Sequence, residues 1–423
     1  MILEVRLSNF FSIKDEVVLD LRAGNIQTKQ AKELSDHHFK QGKDHVLKAI
    51  AIYGANASGK SNIIKALRFC CRMIFNSHTH NENVSFNFQP FKFDDCPRKP
   101  SNFFIRFVSN DIEYEYEYSY SLNRSEILTE ELYYYPNNRR AKIFTRDEQI
   151  EGDKKAKYSF SNIIKRPLDV AENTSVKTLF ISRASQMDRV IGKELFNFFS
   201  EKFILGYHGF NSHSIEQNLT ENKEFLLKAL QIADSDIVDI SFRKEKVKLK
   251  SITFSVGAAG DSVNNADTEE EVLKIETYHK SGPKVAFDFD SEESDGTRKL
   301  FVSLLSILDI VRNNKTLLID ELETHLHSKL VEFIINLFHA SKGAQLIFTT
   351  HDTNLLNMKK LRKDQIFFVN KLDDGSSDLY SLFDYKDFRE NMDAEKGYLQ
   401  GRFDAIPFID ETKSSLKEIL DGE

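Results

Sequence analysis

Of 423 residues, 40% are hydrophobic and 29% charged, with 58 basic against 65 acidic side chains and a formal net charge of −7. That balance belongs to globular proteins and excludes disordered, fibrous and generally basic nucleic-acid-coating chains, although a local basic patch can sit within it. Cys70, Cys71 and Cys96 show no CxxC spacing, which excludes a disulfide framework and points to a reducing compartment.

The chain opens on strands: ILEVRLSNF alternates around Ile2, Val5 and Leu7, and EVVLDL alternates again. No basic segment precedes a long apolar run there, so no secretory signal is expected. Residues 29–48, polar and with paired His37 and His38, read as a surface excursion. Residues 47–53 are an apolar run ending at Gly54, the pattern of a buried strand entering a glycine loop, and 62–75 carry helical spacing through Ile63, Ile64, Leu67 and Cys71.

NFFIRFVSND and IEYEYEYSYSL alternate as antiparallel strands, with Glu113, Glu115 and Glu117 on a wet face opposite Tyr114, Tyr116 and Tyr118. Residues 186–233 return to helical spacing. Residues 243–250 alternate as a strand with one charged, solvent-facing side, and 257–272, small, polar and acidic, read as a mobile loop. From Lys284 to about Tyr385, apolar strands and helices alternate. No run reaches the roughly 18 consecutive apolar residues of a membrane helix, so a cytoplasmic protein with no membrane partner is expected. The sequence shows neither an internal repeat nor a long heptad array.

The chemistry begins at Gly54-Ala55-Asn56-Ala57-Ser58-Gly59-Lys60-Ser61, which fits GxxxxGK[ST] in full between an apolar strand and a helical pattern. Glycines let backbone N–H groups approach a triphosphate, Lys60 reaches the β/γ-phosphates, and the Ser61 hydroxyl binds Mg²⁺. With Asn62, this run is the expected nucleotide-contacting set, and ATP and Mg²⁺ are the expected cofactors. TLLI then ends in Asp320 and Glu321. Many strands end in acids, but after such a loop Asp320 is placed to hold Mg²⁺, directly or through water, and Glu321 to polarise the attacking water. QLIFT is a further apolar strand, leading through Thr350 to His351. Ser294 and Gly296 open the apolar helix over 300–311, where free N–H groups and the helix dipole favour an anion. Taken alone, that segment reads better as an ordinary Ser N-cap with a glycine turn.

The order of these pieces resembles the ABC-type ATPases, among them SMC proteins, recombination and repair ATPases, and OLD-like proteins. The resemblance implies that residues 54–61 are the Walker A loop, that Ser294, Gly296 and Thr297 are the signature closing over a second subunit's nucleotide, and that Asp320 and Glu321 are Walker B. It makes His351 the switch histidine and Lys60, Glu321 and His351 the catalytic set. Gln89, in FNFQPFKF, stands for a Q-loop glutamine contacting Mg²⁺.

SDGTRKL, DELETHLH, TTHDTNLL and KGYLQGRFDAIP narrow the resemblance to the compact SMC/OLD-like, AAA-type members of restriction-linked and phage-defence operons, over about 1–144 and 287–409. Thr297 replaces the second glycine of the transporter signature, and Leu322-Glu-Thr-His-Leu-His replaces Ser-Ala-Leu-Asp, which argues against a transporter. Phe11 stands where many relatives carry a basic residue.

The implied fold is an α/β ABC-type head: a mixed sheet around a P-loop helix, with an antiparallel β lobe. Head parts at 1–149 and 285–423 flank a mainly helical insertion at 150–284. The implied function is ATP hydrolysis at composite sites of a head-to-head dimer or larger homo-oligomer. The chain would be the sensor or scaffold of an antiphage system, controlling a separately encoded nuclease or toxin. The alternative is an SMC-like repair or recombination ATPase that binds DNA as a dimer, which would make nucleic acid a partner. A third reading is a nucleotide-dependent scaffold whose hydrolysis is slow or dispensable.

Weaker signals take bland readings. His325 and His327 do not share a helix face, so no zinc site is expected, and Glu323 and His325 fit a dimer seam better. His78 and His80 read as surface residues. Arg139, Arg140 and Lys142 read as a solvated turn before a phosphate contact, and the 35 Phe residues as core filler.

Overall fold

Three apolar runs, Ala49–Gly54, Thr316–Ile319 and Gln345–Thr349, are buried along their whole length in the computed structural model. Continuous burial is what a parallel strand covered on both faces requires. They are the centre of a six-stranded sheet in the order Phe203–Ile204, Thr316–Ile319, Gln345–Thr349, Ala49–Gly54, Ile366–Lys371, Ser377–Ser381. Neighbours are parallel throughout except at the last, antiparallel pair.

The described residues are 1–79, 89–123, 125–205, 212–233, 235–255, 262–324, 326–407, 412 and 419–420. They form two compact units, Met1–Gly206 with Asn313–Glu423, and Tyr207–Arg312. Among them, no helix is long and apolar enough to cross a membrane.

The first unit is the expected mixed α/β head. Beside its parallel sheet lies a seven-stranded antiparallel sheet, ordered Tyr158–Phe160, Ala141–Asp147, Glu126–Tyr134, Ile112–Ser121, Ser101–Ser109, Ile2–Ser8, Val17–Asp20. Helix Lys60–Asn76 buries Ile63, Ile64, Leu67, Cys70, Cys71, Met73 and Ile74. These join residues of both sheets, such as Ile52, Leu318, Phe103 and Tyr118, in one apolar cluster.

Tyr114, Tyr116 and Tyr118 point inward as their alternation requires. The opposite face is less wet than the alternation suggests. Glu115 there accepts from Tyr135 Oη at 2.5 Å and from Arg140 Nε at 2.6 Å. The Arg140 guanidinium lies 3.4 Å from the Tyr133 ring centroid. Arg140 of the basic turn is therefore ion-paired to the lobe, while Arg139 beside it is exposed, as a solvated turn requires.

Residues 150–205 belong to this head, so the insertion does not begin at 150. The cause is a buried charge cluster invisible in local sequence. Glu130 and Arg146 both have fully buried side chains, 3.3 Å apart. Glu130 accepts from the Phe180 and Ile181 backbone N–H groups at 2.6 and 3.0 Å and from Tyr116 Oη at 2.8 Å. Arg146 donates to the Thr178 and Ser175 carbonyls at 2.7 and 3.2 Å. The start of helix Phe180–Gln186 is thereby tied to the β lobe, and Phe198 of helix Val190–Glu201 stacks on Phe107 at 4.8 Å.

The supposed surface excursion is also partly interior. His37 is buried and stacks on His339 with ring centroids 3.4 Å apart, and Lys48 donates to the His339 carbonyl at 2.6 Å. Burial, reinforced by His37 and Lys48, holds the His339 imidazole down at about 2.

The second unit is not mainly helical. Helix Ser212–Ile232 is followed by strands Ile237–Ser255, Ser262–His279 and Gly282–Asp288, and by helix Asp295–Arg312. Residues 262–272, expected as a mobile loop, are strand. The register sets residues 246, 248 and 250 opposite 271, 269 and 267. Residues 257–261 of that expected loop lie outside the described residues. Arg312 lies 4.0 Å over the Phe225 ring and donates to the Glu221 carbonyl at 3.1 Å, which keeps the second helix in this unit up to 312.

Candidate functional site

The glycine loop leaves the central strand at Gly54 and enters helix Lys60–Asn76 through Gly59, whose φ of 111° only glycine adopts freely. A Cβ on Gly59 would meet Ser377 Oγ at 2.1 Å and Ser12 Oγ at 2.6 Å, and one on Gly54 would meet the Val369 carbonyl oxygen at 2.5 Å. Both glycines are therefore demanded by close approach. Ser377 Oγ lies 2.5 Å from the Ser58 carbonyl oxygen and 2.7 Å from Ser12 Oγ, which also accepts from Asn62 Nδ2 at 2.7 Å. Asn62 thus braces the base of the loop.

Lys60 is buried, and its Nζ donates to the Gly54 and Ala55 carbonyls at 2.8 and 3.0 Å. Burial lowers its pKa, opposed by Asp320, Glu321 and Glu323. Ser58 Oγ is buried without a hydrogen-bond partner. A hydroxyl left unpaired beside a buried ammonium and a glycine-lined backbone suits a polyanionic phosphate chain. Ser61 is half-buried in the first helical turn.

The parallel register brings the ends of Thr316–Ile319 and Gln345–Thr349 beside this loop. Asp320 Oδ1 accepts from Thr349 Oγ1 at 2.6 Å, and Thr349 Oγ1 accepts from the Glu321 N–H at 2.7 Å. Glu321 is exposed and sits at φ 52°, in the left-handed region. Glu323 Oε1 accepts from the His351 N–H at 2.6 Å. Lys60, Asp320, Glu321 and His351, far apart in sequence, thus come from three adjacent strand ends. A serine hydroxyl, an aspartate and nucleotide oxygens are hard oxygen donors of the kind Mg²⁺ takes, with waters completing its shell. Among the described residues, no group of three or more His, Cys, Asp and Glu side chains could hold a metal alone.

Gln89 is exposed, and its carbonyl accepts from the Phe11 N–H at 2.7 Å, next to Ser12 under the loop. Ser294, Gly296 and Thr297 belong to the other compact unit. Ser294 Oγ accepts from the Thr297 N–H at 3.1 Å, which is the N-cap geometry expected from that segment taken alone. Residues 294–296 are exposed. His327 caps helix Ser328–Ala340, and His78 is half-buried against Ser182. His80 and His325 lie outside the described residues.

Thr349 and Arg68 gave no sign of a role in the sequence, and Glu323, expected at a dimer seam, accepts from the His351 backbone instead of being singled out for it by any local pattern. Arg68, two turns beyond Lys60, donates to the Leu318 carbonyl at 3.4 Å and feels the Asp320 charge. A threonine ending an apolar run has no signature of its own. Only the strand register sets Thr349 beside Asp320. The KGYLQGRFDAIP segment acquires a physical role too, since Tyr398 packs 5.8 Å from Tyr53 on the strand that feeds the loop.

A family model described as "AAA domain, putative AbiEii toxin, Type IV TA system" matches residues 49–357. The chain belongs to this family. The match spans the glycine loop, both carboxylates and His351, and bears out the resemblance read from motif order. This AAA-family protein is an ATPase. It is similar to the "Retron Vc95 probable ATPase" of Vibrio cholerae serotype O1 biovar El Tor, at 23% identity over 408 residues, 88% of this chain and 77% of that one. Solved structures with distant likeness include an SMC head bound to the C-winged helix domain of ScpA, at TM-score 0.40 and 19% identity, covering 90% of this chain and 97% of that one. The SMC head domain from Thermotoga maritima has TM-score 0.40 and 14% identity, covering 90% and 98%. Both are too distant to bear on function.

Proposed function

We propose that this AAA-family protein hydrolyses ATP at composite sites of a head-to-head dimer or larger homo-oligomer, as the sensor or scaffold ATPase of a defence system with a separate nuclease or toxin effector. The observation that carries the hydrolytic part is the convergence of Lys60, Asp320, Glu321 and His351 at three neighbouring strand ends. In this reading residues 54–62 bind ATP, with Lys60 supplying positive charge where the β- and γ-phosphates lie. Ser61 and Asp320 would hold Mg²⁺, with Gln89 a further ligand, and the bound ion neutralises charge on the phosphate oxygens. Glu321 takes the proton of the attacking water. His351 donates to the γ-phosphate, and its backbone is tethered by Glu323.

Ser294, Gly296 and Thr297 of a second copy close the site. The exposure of Ser294 and Gly296 and the N-terminal dipole of an 18-residue helix support this role. The family's toxin–antitoxin description and the similarity to a retron ATPase support the defence setting.

Glu321→Gln tests the chemistry. Phosphate release should fall by about 10²–10⁴-fold, with ATP still bound and the closed dimer enriched in size-exclusion profiles. Wild-type turnover in that variant would remove Glu321 as the base. Co-purification with the neighbouring gene's product tests the effector.

A further inference from the structure

We infer that Thr349 is a positioning residue for the hydrolytic carboxylates, a role that rests on the ATPase reading above. Thr349 ends strand Gln345–Thr349 with a fully buried side chain. Its hydroxyl proton goes to Asp320 Oδ1 at 2.6 Å, and its lone pair accepts from the Glu321 N–H at 2.7 Å. One hydroxyl therefore uses its single donor and one acceptor on two consecutive residues of the Asp320–Glu321 turn. The Thr349 carbonyl adds a third tie by accepting from the Leu322 N–H at 3.1 Å.

The turn needs such support. Glu321 holds φ 52°, a region that a residue with a Cβ occupies only when the surroundings over-determine it. The Thr349 hydroxyl fixes that peptide and, from the same atom, fixes the Asp320 carboxylate. The direction of the metal-side acid and the direction of the base are thereby set together. The glycine loop is built separately, from Gly54, Ser58 and Gly59 against Ser12, Val369 and Ser377. Loss of the hydroxyl should leave ATP binding in place and misdirect the carboxylates. The proposal thus predicts a defect in kcat and in Mg²⁺ requirement, not in nucleotide affinity.

The test compares Thr349→Val, which keeps the shape and removes the hydroxyl, with Thr349→Ser, which keeps the hydroxyl, and runs Glu321→Gln beside them. Steady-state turnover over a Mg²⁺ titration is read together with calorimetric ATP affinity in the absence of Mg²⁺. Thr349→Val should lower kcat by about 10- to 100-fold and raise the Mg²⁺ concentration for half-maximal turnover. Its Mg²⁺-free affinity should stay near wild type, and Thr349→Ser should recover most of the turnover. Wild-type kcat and Mg²⁺ dependence in Thr349→Val, with turnover lost in Glu321→Gln, would overturn the role of Thr349 and leave the ATPase reading standing. Equal loss in the Val and Ser variants would also overturn it, since packing and not the hydroxyl would then matter. Full turnover in Glu321→Gln would instead remove the reading on which the proposal rests. Should Thr349→Val fail to fold, Thr349→Ala against Thr349→Ser makes the same comparison.

Discussion

The two compact units hold their candidate site residues in opposite ways. In the head, Asp320, Glu321 and His351 are fixed by partners distant in sequence, the Thr349 hydroxyl and Glu323, and Lys60 is held by carbonyls of its own loop at the end of a buried strand. In the inserted unit, Ser294 is exposed and Thr297 half-buried, and the two are bonded to each other within one turn. The first arrangement is preorganised by tertiary structure, so its geometry exists before any ligand arrives. The second is a local cap whose backbone and side chains remain open to a partner. The proposed composite site would need both: a rigid half that aims the chemistry and an accessible half that arrives with another copy.

The largest expected effect breaks the rigid half. Lys60→Ala removes the buried cation and should lower turnover by about 100-fold or more, with weakened ATP binding by calorimetry. Near-normal affinity and turnover would remove the loop from the proposed site. Next comes the frame beneath it. Glu130→Ala leaves Arg146 buried and unpaired and the Phe180 and Ile181 N–H groups without their acceptor. It should cost about 3–5 kcal/mol, visible as a lower denaturation midpoint, and a change under 1 kcal/mol would contradict 174–181 being anchored to the head by this pair. The smallest stability effect lies in the inserted unit. Ser294→Ala loses one N-cap, about 1 kcal/mol, in thermal or chemical unfolding. Its turnover sharpens the contrast. Loss of hydrolysis far beyond what that destabilisation explains supports the signature role across the dimer, and unchanged turnover reduces Ser294 to a cap.

The glycine loop was legible because its chemistry is local. Gly54, Gly59, Lys60 and Ser61 must be close in sequence to cradle phosphate, and the structure adds the steric reasons, Ser377 and Val369, for the two glycines. Asp320–Glu321 and His351 were legible as ends of apolar runs, and burial of those runs in a parallel sheet is what the apolar pattern encodes. The role of Thr349 and the tie from Glu323 to His351 were not legible, because a hydroxyl or carboxylate acquires its partner only when strand order and register are known. The insertion was misread for related reasons. Helical spacing at 186–201 is real, but the buried Glu130–Arg146 pair ties its neighbouring segment to the head. The acidic run at 262–272 read as a loop because its pairing with residues 245–255 is a matter of strand register that no local pattern shows.

The sequence by itself determined the glycine loop's place between strand and helix and the apolar strands that end at the two carboxylates and the histidine, since these depend on residue type and short spacing. Only the tertiary structure decided where the head ends, what the charged strand pairs with, and how one threonine aims two acids. Those outcomes depend on contacts between residues tens to hundreds of positions apart, and no local pattern records such contacts.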